Sequence, residues 1–263
     1  MRAQVRLATG VTLRYRVQGT GVPVVLLHPW TESLGCFDRL LPLLPATIRA
    51  FAVDQRGHGG ADKPATGYAL ADYAGDVVAF LDAMELPAAV LLGSSSGGYV
   101  AQRVAVDHPD RVAALMLVGA PRSLYGRPAF ADEVDRLTDP VDPEWVRASL
   151  SWFPLEHAVP DWYLADRVTD GARTPARVWQ QALAGLTEAP PPTETGTITA
   201  PTLIIWGGRD TLLPRADADL LAAAIPGARL LIYEDTGHLV LWERPDRVAA
   251  DLITLLPDPP PTP

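Results

Sequence analysis

The chain has 263 residues, of which 48% are hydrophobic and 20% charged, and a formal net charge of −9. That length suits one large α/β domain or two small ones with a substantial core, and the negative charge argues against nucleic acid or an anionic membrane surface as a partner. The single cysteine, Cys36, excludes an internal disulfide and fits a reducing, cytoplasmic setting.

Residues 4–8 and 12–17 alternate apolar and polar around Thr9-Gly10, the pattern of an antiparallel hairpin. Nothing before them resembles the apolar stretch of a signal peptide. No apolar run approaches the roughly 20 residues of a membrane span. Residues 22–27 form a continuous apolar run, the mark of a strand buried on both faces. The loop His28-Pro29-Trp30-Thr31-Glu32-Ser33 follows, then a helix over 34–44 and a strand over 48–53. A glycine-rich loop over 54–64 leads to a helix over 70–84, whose apolar positions have helical spacing. A strand over 88–92, a helix over 99–105 and a strand over 112–118 complete this half. Alternating strands and helices predict a mostly parallel, doubly wound sheet.

From 121 to 197 the pattern changes: helices are expected over 128–137, 143–152, 161–168 and 175–186, with no buried strand and a Pro/Thr-rich linker over 188–197. Trp145, Trp152, Phe153, Trp162, Tyr163 and Trp179 are concentrated there. The α/β pattern returns with a strand over 201–206, a helix over 215–224, a strand over 228–233 and a helix over 245–256, before a proline-rich end expected to be disordered (257–263). The expected organisation is therefore a core of 1–120 and 198–256 with a helical lid over 121–197. Such an insertion sits over the carboxyl ends of the strands, where open α/β sheets bind ligands. Its aromatics serve both as the lid's small core and as the ceiling of a pocket. Trp152, Phe153 and Trp179, with Trp30 and Thr31 from the first loop, are the expected substrate-binding residues.

Gly93-Ser94-Ser95-Ser96-Gly97 fits G-x-S-x-G between a predicted strand and a predicted helix, the context of a nucleophile elbow. The sharp turn lifts the Ser95 hydroxyl clear of the backbone, over a helix N-terminus that favours negative charge. A serine nucleophile needs a base, and the base needs an orienting acid. Asp210 and His238 each follow a predicted strand and complete the order Ser, Asp, His. No Cys and His spacing suits a metal, and no cofactor is implied.

Five segments now resemble the α/β-hydrolase fold family. They are Leu26-Leu27-His28, Asp54-Gln55-Arg56-Gly57-His58-Gly59, Gly93-Ser94-Ser95-Ser96-Gly97-Gly98, residues 201–210 ending Trp206-Gly207-Gly208-Arg209-Asp210, and Gly237-His238. The resemblance implies an eight-stranded, mostly parallel sheet with a helical lid. It makes Ser95 the nucleophile, His238 the general base and acid, and Asp210 its orienter. The backbone N–H groups of Trp30 and Ser96 would form the oxyanion hole. His28, His58 and Asp54 fall at structural positions, and His157 is expected to face solvent. Two departures stand out: Pro29 where the family usually has glycine, and Thr31 where it often has proline. Proline has no N–H to donate.

Within the family the chain looks most like small esterases, lactonases and perhydrolase-type enzymes. Serine at the elbow separates it from haloalkane dehalogenases and epoxide hydrolases, which use aspartate there. The expected activity is hydrolysis of a small, apolar carboxylic ester or lactone. A carbon–carbon hydrolase or perhydrolase with the same triad remains an alternative, as does a hydrolase-fold receptor that binds a small ligand.

Overall fold

The computed structural model describes residues 2–256. Eight strands form one sheet: β1 (Arg2–Arg6), β2 (Thr12–Gln18), β3 (Val22–Leu27), β4 (Ile48–Val53), β5 (Ala89–Ser94), β6 (Val112–Val118), β7 (Thr202–Gly207) and β8 (Arg229–Tyr233). Their spatial order is β1-β2-β4-β3-β5-β6-β7-β8. β2 runs antiparallel to both its neighbours, and every pairing from β4 to β8 is parallel. This is the α/β-hydrolase architecture that the sequence led us to expect, and β3, β4 and β6 match their predicted bounds.

Burial on both faces follows from the apolar runs. In β3, Val25 and Leu27 pack on one side of the sheet, with Phe80 of α1 (Leu70–Ala83) and Val104 of α2 (Ser96–Asp107). Val24 and Leu26 pack on the other side, with Phe37 and Leu41. Each fully buried aliphatic side chain stabilises the fold by about 1.5–3 kcal/mol in transfer terms. The central strands therefore form a rigid platform for the loops at their carboxyl ends.

The helix expected over 34–44 does not form. Two 3₁₀ turns, Leu34–Phe37 and Leu41–Leu43, occupy that stretch. Pro42 has no N–H to give the carbonyl of Asp38, and its ring would clash with that carbonyl in a continuous α-helix. The stretch still buries Leu34, Phe37, Leu40 and Leu41 against the sheet.

Between β6 and β7 the described chain holds helices only: α3 (Ala131–Asp135), α4 (Pro143–Ser149), α5 (Asp161–Arg173), α6 (Ala176–Thr187) and α7 (Pro192–Thr195). The last is a single turn inside the stretch read as a linker. Val134, Val146, Val168, Trp179 and Leu183 make a small core of this insertion, and Trp30 of the sheet's own loop packs against it. The chain closes with α8 (Arg215–Ala224), α9 (Val240–Glu243) and α10 (Pro245–Leu255). The stretch 257–263, expected to be disordered, lies outside the described residues. Among the described residues no helix is long and apolar enough to cross a membrane.

Candidate active site

The loops after β3, β5, β7 and β8 meet at one edge of the sheet. Ser95 follows β5 in a backbone conformation of φ 48° and ψ −122°. A positive φ is costly for a residue with a Cβ, typically by about 1–3 kcal/mol, and persists only where its surroundings enforce it. Here the Ser95 N–H donates to the Val118 carbonyl of the neighbouring strand (2.9 Å). Gly97 must be glycine, because a Cβ there would lie 2.2 Å from the Leu27 carbonyl oxygen. The turn is thus clamped between β3 and β6, and Ser95 heads α2.

The structure brings Ser95, His238 and Asp210 into one hydrogen-bonded chain. Ser95 Oγ lies 3.1 Å from His238 Nε2. His238 Nδ1 lies 2.7 Å from Asp210 Oδ2. Asp210 Oδ1 accepts from the backbone N–H groups of Leu212 (2.8 Å) and Leu213 (3.0 Å). The side chains of His238 and Asp210 are 2% and 1% exposed, so water does not compete for this pair. The loops that carry them touch closely: a Cβ on Gly207 would sit 2.0 Å from the Gly237 carbonyl oxygen.

The first loop delivers Trp30 to the same place, with one arrangement the sequence did not show. The Trp30 backbone N–H donates to Ser96 Oγ (2.7 Å). The Ser96 side chain therefore ties the first loop to the elbow. Pro29, which cannot donate, instead accepts at its carbonyl from His28 Nδ1 (2.7 Å). His28 Nε2 in turn accepts from the Gln55 N–H (3.0 Å). Burial lowers the imidazoles of His28 to about 4 and His58 to about 3. Both are neutral structural residues at ordinary pH. Asp54 holds the loop as expected, accepting from Leu34 N–H (2.7 Å), Gly60 N–H (2.7 Å) and Arg14 Nε (2.6 Å).

A cavity of about 110 Å³ opens over Ser95 and His238. Trp30, Thr31, Trp152, Phe153 and Trp179, the five expected substrate-binding residues, all line it. Thr31 also has a positive φ, 68°. The rings form a continuous wall. Trp30 meets Trp179 edge-on at 4.9 Å, Phe130 stacks on Trp152 at 4.6 Å, and Phe153 stacks on the His238 imidazole at 5.7 Å. Trp162, also among the insertion's aromatics, is instead 53% exposed.

Sequence reasoning missed several residues of the site. Glu243 accepts from the Gly237 N–H (3.1 Å) and from the Glu156 and His157 N–H groups (3.0 and 2.8 Å). It ties the His238 loop to the insertion. Its signal was faint, since a glutamate on a short helix next to a tryptophan reads as surface. His157, expected to face solvent, stands 3.4 Å from Asp235. Glu32, Arg167 and Trp242 also line the cavity.

Glu32 is only 8% exposed, and its Oε2 completes no hydrogen bond of good geometry within the protein. Burial pushes its carboxyl up to about 8, against the pull of Arg167 and with Asp170 adding to the rise. Cys36 and Trp242 are its other polar neighbours. The folded protein therefore holds this proton more tightly than the unfolded chain. The resulting stability is fully present below the ordinary carboxylate value, about 4.3. It is lost as the pH rises from there through about 8. Glu32→Gln removes the ionisation. The variant is expected to gain stability relative to the parent as the pH rises, by up to about 1.4 kcal/mol per pH unit within that window. Urea denaturation at several pH values measures the difference, and a difference independent of pH would contradict the assigned ionisation.

The comparisons with known proteins agree with this architecture. A family model described as alpha/beta hydrolase fold matches residues 22–245. The chain is 29% identical to a non-heme chloroperoxidase of Streptomyces lividans, over 96% of this chain and 98% of that protein. An esterase from Exiguobacterium antarcticum superposes with a TM-score of 0.83 at 27% identity, covering 97% of this chain and 98% of that one. An N-acyl homoserine lactone degrading enzyme, Est816, superposes with a TM-score of 0.78 at 30% identity, covering 97% and 100%. With that family model spanning most of its length, the chain belongs to the alpha/beta hydrolase fold family.

Proposed function

We propose that the protein is a serine hydrolase that cleaves an apolar carboxylic ester or lactone through an acyl-enzyme on Ser95. The observation that carries this reading is the hydrogen-bonded line from Ser95 Oγ through His238 to Asp210, at the floor of an aromatic-walled cavity. In this reading His238 Nε2 takes the Ser95 proton as Oγ attacks the carbonyl carbon. It then gives that proton to the leaving alkoxide, and repeats the cycle with water to release the acid. Asp210 keeps the Nδ1 proton in place and stabilises the imidazolium as it forms.

The oxyanion is received by the backbone N–H groups of Ser96 and Trp30, each such donor typically contributing about a hundred- to a thousandfold in turnover. In the resting geometry Ser96 Oγ already accepts the Trp30 N–H. An incoming carbonyl oxygen takes over that donor as the Ser96 hydroxyl turns aside. Segment 121–197 acts as the lid: its Trp152, Phe153 and Trp179 roof the cavity and exclude water from the acyl group. The esterase and lactone-degrading relatives support this choice of bond.

The likeness to a chloroperoxidase favours a second reading, perhydrolysis. Hydrogen peroxide would replace water as the nucleophile on the acyl-enzyme, and the acyl group would leave Ser95 as a peracid. Turnover of 4-nitrophenyl esters, lactones and ring-cleavage diketones, with and without hydrogen peroxide, separates these readings. Ester or lactone turnover is expected, together with labelling of Ser95 by a fluorophosphonate. Labelling without any turnover would favour a ligand-binding receptor instead.

A further inference from the structure

Three polar groups that line the cavity are not used by the reaction above. Glu32, Arg167 and Trp242 line it, and are 8%, 4% and 3% exposed. Each carries buried polar atoms that complete no hydrogen bond of good geometry within the protein, Glu32 Oε2, Arg167 Nε and Nη1, and Trp242 Nε1, although Trp242 faces Glu32 and Arg167 faces Tyr163. Buried donors of this kind are rare, because each has lost water without gaining a well-aligned protein partner. They come from three separate elements, the first loop, α5 and α9, and converge on a cavity whose lining is otherwise mostly apolar.

Resting on the hydrolase reading, we propose that Arg167, Trp242 and Glu32 form a subsite for a second, uncharged oxygen of the substrate, a ketone or amide carbonyl set apart from the scissile one. The Arg167 and Trp242 N–H groups donate to that oxygen.

Charge decides between an uncharged oxygen and a carboxylate. Arg167 Nη2 is already paired with Asp170 (2.8 Å), which also accepts from Ser33 Oγ (2.7 Å). That pair is neutral as a unit. Glu32 beside it is either protonated or a further anion. A substrate carboxylate would therefore add unbalanced negative charge to a buried place that holds two acidic residues, which is disfavoured. A carbonyl oxygen uses the Arg167 and Trp242 N–H donors without that penalty. In the resting protein a water can serve them, and a substrate oxygen that replaces it keeps the hydrogen bonds. Sites built this way discriminate strongly against substrates that lack the polar group, because their own groups are then left unpaired.

The test compares substrates matched in length. One series is the 4-nitrophenyl esters of straight-chain oxo acids, from 4-oxopentanoate to 7-oxooctanoate, against the plain esters of the same chain length. The other is butanoate esters of hydroxyketones against those of plain alcohols. At least one oxo substrate is expected to exceed its plain partner in kcat/KM by on the order of ten- to a hundredfold. That ratio is expected to fall to about one in Arg167→Met and by several-fold in Trp242→Phe, which keeps the ring and removes the N–H. Should Arg167→Met fail to fold, Trp242→Phe and the wild-type series still decide. Ratios near one throughout, or a ratio untouched by both substitutions, would overturn the subsite. A preference for the half-ester of succinate over its oxo counterpart would overturn its uncharged character. Ester turnover without preference sinks the subsite alone; no turnover and no labelling of Ser95 sink the hydrolase reading and the subsite together.

Discussion

Ser95→Ala is expected to lower kcat on the best ester or lactone substrate by about a million-fold, by analogy with serine hydrolases stripped of their nucleophile. The size follows from what remains. Without Oγ there is no acyl-enzyme, His238 has no proton to accept, and only binding and the Trp30 and Ser96 N–H groups still act on the carbonyl. Alanine keeps the Cβ, so the backbone strain at φ 48° is unchanged and the fold should be as stable as before. Ser95→Gly is the informative companion. It should be equally inactive, yet more stable by about 1 kcal/mol or more, because glycine occupies positive φ without steric cost. Single-turnover kinetics and thermal denaturation of the three proteins check both statements. Residual activity within about a hundredfold of the parent in either variant would place the nucleophile elsewhere.

The same turn shows what was legible in the sequence. Its strand–glycine–serine–glycine–helix order is a local pattern, so Ser95, α2 and the buried run of β5 could be read directly. Asp210 and His238 were legible for a related reason: each follows a short apolar strand, and parallel strands must deliver their carboxyl ends to one edge. The misread helix over 34–44 failed because its apolar residues suit a helix, a 3₁₀ turn or an irregular packed loop equally well. The decision lay with Pro42, whose missing N–H breaks the ladder. Glu243 and Arg167 could not be found by pattern. Their roles depend on partners 86 and 87 residues away for Glu243, and on a cavity that exists only once the insertion has folded over the sheet for Arg167. The Ser96 contact with Trp30 spans 66 residues and is likewise a product of tertiary placement.

Asp210→Asn is expected to cost about ten-thousandfold in kcat, although it changes the side chain's shape hardly at all. Asp210 Oδ1 faces two backbone N–H donors, those of Leu212 and Leu213. In the asparagine variant that position must be filled by the amide oxygen, since an NH₂ there would meet two donors. The NH₂ group is then turned to His238 Nδ1, where the carboxylate oxygen stood at 2.7 Å. A donor in that place requires Nδ1 to be the unprotonated nitrogen. The imidazole proton moves to Nε2, which faces Ser95 Oγ at 3.1 Å and can no longer accept its proton. The variant is thus locked in the tautomer that cannot act as base. Asp210→Ala imposes no tautomer and loses only orientation and charge. The asparagine variant should therefore be at least as impaired as the alanine one, the reverse of what similarity of shape predicts. Pre-steady-state acylation rates of the two variants, with fluorophosphonate labelling of Ser95 as a second readout, measure the difference. An asparagine variant within about tenfold of the parent would remove Asp210 from the role of orienter, and with it the account of how His238 is held to its task.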